Sequence, residues 1–191
     1  MRLVLASSSP YRRELLARLR LDFTTHSPDI DESALPGESA IQLSLRLASA
    51  KATAVANRFG DALIIGSDQV ALLEGKILGK PGNYAAAVEQ LRAMSGRSVD
   101  FHTALCLLNA GTGRQQTSVA TVTVTMRKLG PDEIERYLSA EPAFDCAGSA
   151  RIEALGITLV EKIGGDDPNA LIGLPLIDLC RMLRAEGVRL P

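Results

Sequence analysis

The chain has 191 residues, 46% of them hydrophobic and 23% charged, with a formal net charge of −1. That is the composition of a soluble globular protein, long enough for one large domain or two small lobes around a sizeable core. The near-neutral charge argues against binding to a nucleic-acid polymer, which relies on a basic stripe, and no apolar run approaches the roughly 20 residues that span a bilayer.

The predicted elements begin with a short apolar strand ending at Ser7-Ser8-Ser9. Pro10 then opens a helix to about Leu19, with Arg12 and Arg13 in its first turn. Cations are disfavoured there, because the helix N-terminus already carries partial positive charge and unpaired N–H groups. Two arginines at that place read as a phosphate cradle. Asp22–His26 reads as a short strand, followed by an acidic loop with Asp29, Asp31 and Glu32. Ser39 and Gln42 have the spacing of a capping box and start a long helix to about Phe59. Ala62–Gly66 reads as a strand buried on both faces. Val70–Leu73 and Lys76–Leu78 flank Glu74-Gly75 as a hairpin, and a helix follows over Asn83–Met94.

Val99–Leu108 and Gln116–Met126 are β-rich runs around a glycine-containing turn. Pro131 starts a helix with acids in its first turn. Gly156–Ile163 is predicted as a strand, Asp167-Pro168-Asn169 as a break with a structural role, and Pro175 as the start of a final helix. The expected class is α/β, with a mixed sheet flanked by helices and two lobes with a cleft. The segment before the serines lacks the pattern of a signal peptide. Cys106, Cys146 and Cys180 lack zinc spacing and read as buried free thiols, which implies a reducing, cytoplasmic setting.

Chemistry concentrates in a few residues. Asp68 follows a strand too apolar to end in a carboxylate by accident, and ligands of open α/β sheets sit at strand ends. Glu32 and Asp68 together offer hard oxygen ligands for Mg²⁺ or Mn²⁺ against a phosphate chain. Lys80 stands in the turn Gly79-Lys80-Pro81-Gly82. Lys51 sits among Leu47, Ala48, Ala54 and Val55, where an ammonium either snorkels to water or enters a cleft. Cys146-Ala-Gly-Ser149, leading to Glu153, is a small-residue passage that a flat ligand could approach closely. No Gly-x-Ser-x-Gly elbow, Walker motif or paired histidine spacing is present. Carboxylates, cations and no covalent nucleophile point to metal-assisted cleavage of a phosphoanhydride by water.

In order and spacing, Ser7–Arg13, Asp31-Glu32, Ala50-Lys51-Ala52, Gly66–Val70, Gly79-Lys80-Pro81 and Cys146–Ser149 resemble the Maf-like nucleotide pyrophosphatases. The resemblance implies a cytoplasmic enzyme, similar in fold to inosine-triphosphate pyrophosphatases, with a divalent cation and commonly a homodimer. Such enzymes cut a nucleoside triphosphate between its α and β phosphates. Ser67-Asp68-Gln69 resembles the 7-methyl-GTP branch, in contrast to the branch acting on dTTP and UTP. The family has also been linked to control of cell division, so a nucleotide-binding regulator is the reading from another class. The resemblance implies Asp68 as proton acceptor and Tyr11, Gln69 and Glu153 as specificity positions, with Tyr11 standing where the branch carries Trp. With Glu32 and Asp68 holding the metal, Asp68 is expected to orient the water at the α-phosphorus, Arg13, Lys51 and Lys80 to neutralise charge on the leaving pyrophosphate, and Ser9 to join the substrate-binding set.

Overall fold

Residues 3–6 and 62–65 are apolar without interruption because both faces of their strands are covered. The computed structural model describes residues 2–191. In it, β1 (Arg2–Leu5) pairs in parallel with β2 (Phe23–Thr25) and with β3 (Ala62–Leu73). Side chains alternate across the pleat. Leu3, Leu5, Leu63 and Ile65 join one core with residues of α1 (Pro10–Ala17) and α6 (Leu176–Ala185). Val4, Ala62 and Ile64 join a second with Ala48, Ala52 and Val55 of α2 (Ala40–Ala56).

The seven-stranded mixed sheet has the order β2-β1-β3-β5-β6-β7, with β5 (Ser98–Asn109), β6 (Gln115–Met126) and β7 (Val160–Gly164). β4 (Lys76–Leu78) pairs antiparallel with β3. Its turn places Glu74 at φ 48° and Gly75 at φ 82°, the two left-handed residues that a tight hairpin needs. The capping box forms as expected. Ser39 Oγ accepts from the Gln42 N–H at 3.3 Å, and Gln42 Oε1 accepts from the Ser39 N–H at 2.9 Å.

The chain divides into two compact units. The first comprises the chain up to Gln69, Thr103–Ala120 and Asp167–Pro191; the second comprises Val70–His102 and Thr121–Asp166. In the second, α3 (Tyr84–Met94) is capped by the Asn83 side chain, which accepts from the Ala86 N–H at 2.9 Å. α3 packs against α4 (Pro131–Ala140); Leu91 and Met94 of α3 and Ile134 and Tyr137 of α4 are buried.

Three expectations are corrected. β3 does not stop at Gly66 but runs through Leu73, so Asp68 lies within a strand and not after one. Residues 155–159 form a 3₁₀ turn, and only Val160–Gly164 is strand. Gly156 and Leu159, three apart, are the buried pair there, a helical spacing and not a strand's. Asp167 is no break: it caps α5 (Pro168–Ile172), accepting from the Asn169 N–H at 2.9 Å, and also takes the Ile177 N–H at 2.8 Å. Among the described residues no helix is long and apolar enough to cross a membrane.

Candidate active site

Gly66 determines how α2 meets the sheet. A Cβ at this position would collide with the Ala48 carbonyl oxygen and come within 2.9 Å of the Ala52 nitrogen. The bare backbone therefore lets α2 rest directly on β3. Lys51, between those two contacts on the helix, reaches Asp68, two residues along the strand. Lys51 Nζ lies 2.6 Å from Asp68 Oδ1 and 2.7 Å from Glu32 Oε1. Lys51 and Asp68 are buried, whereas Glu32 is exposed. Burial raises the Asp68 carboxyl above the ordinary carboxylate range, against the opposing pull of Lys51 and, more weakly, Arg12.

The serine loop is tied by its own hydroxyls. Ser7 Oγ accepts from the Ser9 N–H at 3.1 Å, and Ser9 Oγ caps α1 by accepting from the Arg12 N–H at 3.3 Å. Arg12 turns inward. Its Nε donates to the Gly173 carbonyl at 2.8 Å. Desolvation lowers its pKa, opposed by attraction to Asp68 and Glu32. Arg13, which sequence reasoning selected, is exposed, while Tyr11 is half-buried. Helix spacing alone could not tell the two arginines apart; the docked face of α1 does. Ser67, also unselected, places its hydroxyl between the Ala104 and Gly173 carbonyls at 2.8 and 2.9 Å. The Gln69 amide nitrogen is directed at Thr103 Oγ1 and at the Ala170 and Leu171 carbonyls, all within 3.0 Å.

Arg46 of α2 organises the acidic loop that carries Glu32. It donates to the Ser33 carbonyl at 2.9 Å and forms a two-point pair with Glu38 at 2.7 and 2.8 Å. That pair, with the Leu35 N–H, draws the Glu38 carboxyl from its ordinary 4.5 down to about 2. A depressed carboxyl stabilises the fold above its unfolded pKa, and the stabilisation fades as pH falls toward the folded value. The urea midpoint of the wild type should therefore exceed that of Arg46→Met most above pH 4.5, and the gap should close toward pH 2. A gap that widened on acidification would contradict the pairing.

Lys80, Ser149 and Glu153 belong to the second unit. Lys80 and Glu153 are exposed, yet neighbouring chain desolvates the Glu153 carboxyl enough to raise its pKa. Glu153 rides on a tight turn in which the Gly156 N–H donates to the Arg151 carbonyl at 2.9 Å. Arg151 pairs with Asp145 at 2.7 Å. Among the described residues no three His, Cys, Asp or Glu side chains gather as a metal site; Glu32 and Asp68 are two carboxylates that meet at Lys51 Nζ.

A family model described as Maf-like protein matches residues 2–186. The chain is 55% identical over 188 residues to the 7-methyl-GTP pyrophosphatase of Albidiferax ferrireducens, covering 98% of this chain and 94% of that one. It is 57% identical over 186 residues to the 7-methyl-GTP pyrophosphatase of Methylobacillus flagellatus, covering 97% of each. Among solved structures, the Ham1 protein of Staphylococcus aureus shares the fold with a TM-score of 0.57 at 14% identity, over 97% of this chain and 100% of that one.

Proposed function

We propose, from the premise that the chain belongs to the Maf-like protein family, that it hydrolyses the α–β phosphoanhydride of 7-methyl-GTP to 7-methyl-GMP and pyrophosphate. The observation that carries this reading is the buried carboxylate Asp68, held 2.6 Å from the Lys51 ammonium, which also lies 2.7 Å from Glu32. Asp68 accepts the proton of the water that attacks the α-phosphorus. Arg12 and Lys51 stabilise charge developing on the leaving pyrophosphate, and the exposed Arg13 and Lys80 are proposed as further phosphate-binding cations. Ser9, whose hydroxyl already caps α1, contributes through the turn it fixes.

The carboxylate pair suits a Mg²⁺ or Mn²⁺ ion. Two hard oxygens converge on a single cationic atom, within 2.7 Å, and among the described residues no cysteine or histidine joins them as a third donor. Glu32 and Asp68 would hold it, and a bound divalent ion acidifies water and withdraws charge from phosphate oxygens.

For the base, a carboxylate at Glu153 accepts the two parallel donors of guanine, N1–H and the 2-amino group. Methylation at N7 makes the ring cationic, which favours an aromatic face such as Tyr11. Gln69 completes the specificity set through its tie to α5. The homologous 7-methyl-GTP pyrophosphatases support this choice of base. A cytoplasmic homodimer belongs to the same reading.

Pyrophosphate release from 7-methyl-GTP, GTP, dTTP, UTP and ITP tests it. The methylated nucleotide should show the highest kcat/KM, about 10-fold above GTP if one cation–π contact makes the difference. Faster turnover of dTTP or UTP would reassign the substrate. Binding without turnover of any of them would make the protein a nucleotide-binding regulator.

A further inference from the structure

Gln90, on α3, joins two loops that are separated in sequence. Its Nε2 donates to the Gly79 carbonyl at 2.9 Å, and its Oε1 lies 2.6 Å from Ser149 Oγ. The carbonyl of Gly79 can only accept, which fixes the amide nitrogen on that side and the amide oxygen on the other. Ser149 is therefore the donor. Glutamate, lysine or methionine would each lose at least one of these bonds.

Both ends matter. Gly79 precedes Lys80, and the far side of that turn is held as well, because the Gly82 N–H donates to the Phe144 carbonyl at 3.0 Å. Ser149 is completely buried and stands at φ 54°, directly after Gly148 at φ 78°. A side chain in that region is normally disfavoured, and the hydroxyl held by Gln90 secures it. Four residues on, the same segment carries Glu153, after the Arg151 N–H has bonded Tyr137 Oη at 3.0 Å. The backbones bearing Lys80 and Glu153 are thus joined through one side-chain amide.

We propose that Gln90 is a positioning residue that makes the placement of Lys80 depend on the Glu153 segment, so that base recognition is expressed in turnover as well as in binding. This rests on the assignment of Lys80 to phosphate and Glu153 to base. The linkage predicts non-additivity between the two ends. For 7-methyl-GTP, the kcat/KM losses from Lys80→Ala and Glu153→Gln should fall short of multiplying by about 10-fold with Gln90 present, a size expected of coupled neighbours. In a Gln90→Met background the two losses should multiply. Gln90→Met alone should lower the kcat ratio of 7-methyl-GTP to UTP, with KM changing less for both substrates.

Ser149→Ala breaks the same connection from its other end and reads it independently if Gln90→Met fails to fold. Persistent non-additivity without Gln90, or equal losses on the two nucleotides, overturns the proposal. Dissociation constants for 7-methyl-GTP and UTP, measured in an Asp68→Asn background, keep it separate from the functional reading. A wild type that releases no pyrophosphate sinks that reading, and coupling that survives in binding upholds the role of Gln90. Coupling absent from both turnover and binding rejects it.

Discussion

Asp68→Asn is expected to fold as the wild type does and to release pyrophosphate at least ~10³-fold more slowly, within the range general-base removal produces. The amide matches the carboxylate in shape, so the packing of β3 against α2 is kept. It has no oxygen of comparable basicity, and it still leaves Lys51 paired with Glu32 at 2.7 Å. Lys51→Met makes the opposite disturbance. It leaves the buried Asp68 facing Glu32 with no cation between them, a loss of about 3–5 kcal/mol for a fully buried pair and less here because Glu32 is exposed. Circular dichroism melts with pyrophosphate assays separate the two. If Asp68→Asn kept more than a tenth of wild-type turnover, another group would have to be the proton acceptor.

Gly66→Ala is expected to damage stability and activity together although it adds one methyl group. The collision is with the Ala48 carbonyl and the Ala52 nitrogen, both helix backbone, and no flexible side chain can yield. Relief requires α2 to lift away from β3. Overpacking of this kind costs about 1–3 kcal/mol, with the upper end expected where backbone must move. A shift of α2 also withdraws Lys51 from Asp68, and a misplacement of about 1 Å in such a site costs ~10²-fold in rate. Urea unfolding and kcat measured on one preparation check both halves. A variant with normal stability and normal turnover would mean that α2 does not depend on this contact for its position.

Local signals made much of the fold legible. The capping box of α2 and the Glu74-Gly75 turn each rest on residues a few positions apart and formed where expected, whereas Asn83, read as the first residue of α3, is its cap. Lys51 was legible for a related reason, since Leu47, Ala48 and Val55 on its face of α2 are buried. What stayed hidden depends on contacts between distant segments. Gly66 read as the end of a strand, because nothing nearby reveals a helix pressed against it. Arg12 and Arg13 are adjacent cations until α5 arrives to accept one of them. Gln90 looked like any polar residue of a surface helix, and both of its partners lie outside that helix.

The Gly173 carbonyl accepts from both Arg12 Nε and Ser67 Oγ. Glycine at φ 122° lets the end of α5 present that oxygen without strain. An arginine loses substantial rotamer freedom when it closes on a phosphate. Here one edge of the guanidinium is already fastened in the folded protein, so under the proposed function much of that entropy is surrendered before the nucleotide arrives. What remains is a cation aimed in advance, whose affinity for an anion is not diluted by the need to find its orientation.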